Sequence, residues 1–294
     1  MRLACSGEDV SFIARGAHLQ ALRERGLRLL SPLGNVELAG VHATSDPSEA
    51  GTVDLVVFAV KLYDSEPAAA AIIPMVGPQT RVLTLQNGID GIDMLTRVVP
   101  REQVVGGATY ISSFLEEPGV IRQASGITQV FTGGSNDPVI EEFRSVCSRA
   151  DGIDLTVVDD IDALLWKKFV TLAAFSGGTS LIRAGIGKIM ADQESRKFME
   201  QLRDEGMAVA ATEGHPMPNG FVDEITDLWL RIPPETQASM AHDLAQGKRL
   251  ELEWLSGRIH ALGLKHGIPT LAHTAVYRAL HPHAGGRTDV RGGG

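Results

Sequence analysis

Residues 53–60 read VDLVVFAV, apolar at seven of eight positions, and residues 81–85 read RVLTL. A strand with one wet face alternates apolar and polar residues. Runs this continuous suit strands of a parallel sheet, covered by helices on both faces. A helical stretch, 64–73, lies between them, as the crossover of a parallel pair requires. Strand, helix, strand in that order predicts an α/β domain.

The rest of the first half fits that reading. A strand is predicted at 9–14 and helices at 17–25 and 90–97. A β-rich patch follows at 103–112, 119–123 and 126–132, broken by Pro-Gly and Ser-Gly turns. A helix at 137–149 and a strand at 154–158 close it. From Asp160 strand signals stop. Amphipathic stretches take over at 160–175, 192–214, 235–246, 249–266 and 271–281. The breakers Gly214-His215-Pro216 and Ile232-Pro233-Pro234 separate them. The expected organisation is an α/β domain over 1–158, an all-helical domain over 159–283, and a disordered tail over 284–294, where AGGRTDVRGGG has nothing to bury.

Composition excludes several functions. A net charge of −9 leaves no basic stripe for nucleic acid. No apolar run reaches the roughly 18 residues of a membrane helix. Two cysteines, Cys5 and Cys147, make no disulfide framework, so a reduced, cytoplasmic setting is expected. No metal site is expected: His281-Pro282-His283 lacks an acidic or Cys partner at ligand spacing. Asp159-Asp160-x-Asp162 reads as helix capping. No G-x-S-x-G elbow marks a serine hydrolase.

An α/β domain of this kind ordinarily binds a dinucleotide. Its first strand, Gly-rich turn and first helix put backbone N–H groups against the pyrophosphate. No G-x-G-x-x-G stands near the start of this sequence, and the strand at 9–14 reads like a second strand. That strand ends in Ala14-Arg15-Gly16. At this place an acidic residue favours NAD and an Arg accommodates the 2′-phosphate of NADP. Arg15 has the charge and fork geometry for a phosphate. The ordinary alternative is a surface arginine in a turn.

Several stretches then form an ordered set: GEDVSFIARG, VVFAVKLYD, TLQNGIDG, GVIRQASGITQVFTGG, ALLWKKFVTLAAFSGGTSL and SMAHDLAQGKRLELEWLSGRI. In order and spacing the chain resembles the ketopantoate reductase (2-dehydropantoate 2-reductase) family from about Leu3 to His281. The resemblance implies a Rossmann-type N-terminal domain, here missing the first strand and Gly-rich turn, plus an all-α C-terminal domain. By that comparison Met1 to Ser6 is the last turn of a first helix, and about 15–25 residues are lacking at the N-terminus. The strands flanking the absent one are expected to close the gap or leave unpaired edges.

The implied reaction is hydride transfer from NADPH to the C2 carbonyl of a 2-keto acid. Lys168 matches the family's catalytic lysine, on a helix from which it can reach across the interdomain cleft. An ammonium there can protonate and stabilise the oxygen that gains charge. A helix points Lys167 and Lys168 about 100° apart, so only one can face the cleft. Asn87, after the strand 81–85, is implied to hold substrate or nicotinamide; a turn Asn before Gly is the alternative. Lys61, after the strand 53–60, matches a lysine near the cofactor, or is a solvated strand-end lysine. Glu251 and Ser239 match a substrate-side Glu and Ser. Glu251 would orient Lys168 or a substrate hydroxyl, and Ser239 would bind the carboxylate. Plain helix-surface residues are their alternatives.

The chain also departs from the family. Asparagines four and eight residues after the lysine are replaced by Leu172 and Ser176. Ser176 can still bind substrate over a shorter reach; Leu172 cannot hydrogen-bond at all. One lost polar contact shifts discrimination strongly. Two other readings therefore stay open: a reductase of a different carbonyl or imine, and a non-catalytic protein of the same fold without a phosphate-binding loop. The expected partner is a small 2-keto acid, with a homodimer left open.

Overall fold

The computed structural model describes residues 1–287. It falls into two compact units, Met1–Asn87 with Gly91–Ile161, and Gly88–Asp90 with the residues from Asp162 onward.

The first unit runs, in order, α1 (Arg2–Cys5), β1 (Ser11–Ile13), α2 (Gly16–Arg25), β2 (Leu27–Leu30), β3 (Val36–Leu38), β4 (His42–Thr44), β5 (Val53–Phe58), α3 (Ser65–Ala71), β6 (Val76–Thr84), α4 (Gly91–Leu95), β7 (Val104–Tyr110), β8 (Ser113–Glu117), β9 (Val120–Gln123), β10 (Gln129–Thr132), α5 (Pro138–Arg149) and β11 (Asp154–Val157). Its main sheet has the order β11-β10-β7-β6-β5. The β5/β6 and β6/β7 pairs are parallel. The apolar runs have the predicted cause. Val56, Phe58, Val82 and Val104 share one cluster with Ala69, Ile72 and Leu95. Leu83 and Val105 share another with Ile140 of α5, and Leu55 packs against it. Helices thus cover both faces of the strands.

β1 pairs in parallel with β4, forming a separate ladder. Among the described residues β5 pairs only with β6, so β1 and β5 each keep an unpaired edge. Ile13 (40% exposed) and Val57 (45%) show that this region is also open to solvent. A third sheet, β3-β2-β9-β8, uses short strands that the sequence patterns did not predict between 26 and 52. β2 finds its partners at β3 and, by parallel pairing, at β9. Four residues carry too little periodicity to announce a strand whose partner is ninety residues away.

The second unit comprises α6 (Ile161–Ile182), α7 (Ile186–Ala191), α8 (Gln193–Thr212), α9 (Phe221–Arg231), α10 (Ser239–Ala245), α11 (Ser256–His266) and α12 (Leu271–Leu280). Its core gathers Phe169, Val170, Leu202, Val209, Trp229, Ile259 and Val276, and Ile89 of the Gly88–Asp90 segment packs against it. Asp90 forms an ion pair with Arg258 of α11 at 3.0 Å. α6 is apolar almost all round, as a central helix must be. It continues past the predicted end at 175 through Gly177-Gly178. A Cβ at Gly178 would fall 2.0 Å from Met199 Sδ, and one at Gly177 2.9 Å from Ser256 Oγ. The glycines let α8 and α11 approach closely, which offsets their helix cost of about 1 kcal/mol each. Buried Glu205 accepts the N–H groups of Ala272 and His273 at 2.8 and 2.9 Å, capping α12.

Two expectations are corrected here. The helix predicted over 249–266 begins only at Ser256; a 3-10 turn, Leu252–Trp254, precedes it. Residues 284–287, predicted as tail, are held in place. Leu250 N–H donates to Ala284 O, and Arg287 N–H to Gly247 O, at 2.9 and 2.8 Å. Backbone bonding holds them, and Ala284 also packs against the helical core. The remainder of the predicted tail, 288–294, lies outside the described residues. Among the described residues no helix is long and apolar enough to cross a membrane.

Candidate active site

The second unit carries Lys168, Ser176, Ser239 and Glu251. The helix separates the two adjacent lysines as anticipated. Lys167 Nζ donates to both Glu224 oxygens, at 2.8 and 2.7 Å. Lys168 points elsewhere, into a part-buried place beside Glu251. Burial pulls the Lys168 ammonium down to about 8, against the opposing pull of the Glu251 carboxylate. Loss of water disfavours the cation, and a nearby anion restores part of its stability. An amine poised near neutrality can give up a proton and recover it.

Glu251 is 5% exposed. It sits at the N-cap of the 3-10 turn rather than on a helix. That turn fixes it without a helical neighbour, so the predicted "helix-surface" alternative does not describe it.

Ser176 lies two turns beyond Lys168 on α6, with Leu172 between them. It is 1% exposed, and among the described residues its Oγ has no hydrogen-bond partner. Native interiors rarely leave a hydroxyl in that condition, so it is available to a bound polar group. Leu172 is part-buried against the core. Ser239 is exposed, at the first position of α10. Its neighbour Ala238 donates its N–H to Thr179 Oγ1 at 3.2 Å. α10 therefore starts against the turn of α6 that follows Ser176.

The first unit carries Arg15, Lys61 and Asn87. In the β5/β6 register Phe58 faces Thr84. Lys61 and Asn87 each follow three residues later, so one sheet edge presents both. It is the C-terminal edge of parallel strands, where ligands of such sheets bind. Lys61 is the N-cap of a 3-10 turn, Leu62–Asp64. Asn87 precedes Gly88, whose φ of +84° turns the chain sharply. Arg15 is on the other ladder, after β1. It is the N-cap of α2 and exposed, and its side chain makes no capping hydrogen bond.

This donor set fits a nicotinamide dinucleotide at its two ends. An exposed guanidinium at a strand end suits a 2′-phosphate, and an amide and an ammonium at one sheet edge suit a nicotinamide and ribose. Ahead of β1 the described residues form the single turn α1.

The family model described as Ketopantoate reductase PanE/ApbA matches residues 1–136, and its C-terminal counterpart matches 160–284. The chain belongs to the ketopantoate reductase family. It is an oxidoreductase of that family. A 2-dehydropantoate 2-reductase of Halobacterium salinarum is 31% identical over 256 residues, 85% of this chain and 82% of its own length. One from Archaeoglobus fulgidus is 32% identical over 269 residues, covering 90% and 85%. The crystal structure of a PanE/ApbA family ketopantoate reductase from Ralstonia eutropha JMP134 superposes with a TM-score of 0.89 at 28% identity, covering 96% of this chain and 93% of that one. The Rossmann-type and all-α domain classes expected from the sequence agree with these relatives.

Proposed function

We propose that this protein reduces a small 2-keto acid to the 2-hydroxy acid, with NADPH as reductant and 2-dehydropantoate as the first substrate to test. The observation that carries the reading is Lys168, a part-buried ammonium drawn down to about 8 beside the buried Glu251. The bound nicotinamide supplies a hydride to the carbonyl carbon. The carbonyl oxygen gains charge, and Lys168 Nζ donates a proton to it. Glu251 holds the ammonium and supports its charged form. Ser239 and Ser176 offer hydroxyls to the carboxylate and to a substrate hydroxyl; Asn87 and Lys61 receive the nicotinamide end, and Arg15 the 2′-phosphate. Two free thiols, Cys5 and Cys147, fit a reducing cytoplasmic setting.

The test is loss of NADPH absorbance on adding 2-dehydropantoate, with the 2-hydroxy acid identified as product. No reaction with any 2-keto acid would remove the reading. Arg15→Ala is expected to weaken NADPH binding roughly 10-fold or more and NADH binding hardly at all, since a charged hydrogen bond contributes about 1.5–3 kcal/mol. Fluorescence titration with both nucleotides checks this, and equal losses would remove Arg15 from the 2′-phosphate. A second reading, a more apolar 2-keto acid, is favoured by Leu172, which puts a branched alkyl group one turn from Ser176. Competition between 2-dehydropantoate and a 2-keto acid with an unsubstituted alkyl chain separates the two.

A further inference from the structure

Gln86 lies in the stretch TLQNGIDG. It is 7% exposed and stands directly between the end of β6 and Asn87. Its Nε2 donates to Val60 O at 2.9 Å and to Ser65 Oγ at 2.6 Å. Its Oε1 accepts from Thr84 Oγ1 at 3.2 Å. The orientation of the amide follows from the chemistry, because a carbonyl such as Val60 O can only accept. Both amide hydrogens and one oxygen lone pair are therefore used.

These partners lie on three elements. Val60 follows β5 and immediately precedes Lys61. Ser65 is fully buried and opens α3. Thr84 ends β6. Val60 and Ser65 bracket the Lys61-containing segment, and Gln86 grips it at both ends. The surroundings leave the side chain no freedom. A Cβ at Gly91 would fall 2.8 Å from Thr84 Oγ1 and 3.0 Å from Gln86 Oε1, so only glycine fits beside the network.

We propose that Gln86 is a positioning residue, whose side-chain amide locks the segment bearing Lys61 to the strand end bearing Asn87 and so sets the spacing of the two groups that receive the nicotinamide end. The inference rests on the reading above that Lys61 and Asn87 contact the cofactor. Turn stabilisation alone could be met by bonding within one loop; this amide instead joins two strand exits whose side chains are assigned to one ligand.

The test uses Gln86→Glu, which keeps the shape of the side chain. An ionised carboxylate cannot donate to Val60 O. A protonated carboxyl can, and burial raises the pH at which it forms. NADPH affinity of Gln86→Glu is expected to be about 10-fold weaker than that of the unaltered protein at pH 8, equivalent to about 1.4 kcal/mol. It should recover as the pH is lowered towards 5.5, while the unaltered protein shows no such gain. Thermal unfolding at both pH values checks that the variant is folded; if it is not, Ser65→Ala, which removes one anchor, serves with the same expected direction. Lys61→Ala and Asn87→Ala are titrated alongside. If those two weaken NADPH and Gln86→Glu binds like the unaltered protein at pH 8, the positioning role is wrong. If neither of them changes affinity, or the unaltered protein binds no NADPH, the reading beneath it is wrong and the positioning role goes with it.

Discussion

Lys168→Met combined with Glu251→Leu is expected to give a protein that no longer turns over and yet is more stable than the original. Removing the proposed proton donor should lower kcat by roughly 10²–10⁴-fold. The stability gain follows from burial. Lys168 is drawn down to about 8 from 10.5 because the site desolvates it more than Glu251 compensates. Replacing a buried ion pair with apolar groups of similar volume stabilises a protein by about 1–4 kcal/mol. Either substitution alone should do the opposite, because the remaining charge is stranded, at a cost of about 3–5 kcal/mol. The sign with pH is fixed. Between about 8 and 10.5 the unfolded chain binds the lysine proton and the folded one does not, so the original protein gains stability as pH rises. The advantage of the double variant should shrink over that window. Urea unfolding at pH 7 and pH 10 measures it, and a double variant less stable than the original would contradict the pair's assigned energetics. In the proposed reaction the same ammonium is the proton donor. kcat/KM should fall as pH climbs through about 8, and Glu251→Gln, by removing the charge that supports the cation, should move the fall to lower pH. An unshifted profile would dissociate Glu251 from Lys168.

His273 is expected to make the protein acid-sensitive. It is fully buried on α12, and burial lowers its imidazole to about 4. Nε2 must carry the hydrogen, since it faces Leu202 O at 2.9 Å, and Nδ1 accepts from Ser256 Oγ at 3.1 Å. The neutral ring is therefore fully bonded, and a second proton has to enter a dry core. A folded value below the unfolded one means that stability is complete above about 6.5 and is lost as pH falls towards 4. The loss from this residue between pH 7.5 and pH 5 is about 2 kcal/mol. His273→Gln, which can still bond both neighbours, should flatten that part of the pH dependence even if it is less stable at pH 7.5. Equal slopes for the two proteins would clear His273 of the effect.

Particular residues show how far the sequence could be read. The runs at 53–60 and 81–85 were legible because helices on both faces demand apolar side chains at every position. The residue types at Lys168, Asn87 and Arg15 were legible too, because they stand at helix and strand-end positions that a resemblance could align. β2, β3 and β4 were not, since strands of three or four residues owe their existence to partners far along the chain. The end of α6 was placed too early, at 175, for a related reason: only the nearness of Met199 and Ser256 makes Gly177 and Gly178 a contact surface within the helix.

The order of amino acids by itself determined the α/β-then-α division and which polar residues are available for chemistry, because periodicity and residue type are local properties. Only the tertiary structure decided that Lys168 is desolvated beside Glu251, that Gln86 ties two strand exits together, and that β1 stands on a ladder apart from β5. Desolvation, hydrogen bonding and strand pairing all depend on neighbours that the chain brings together from far apart.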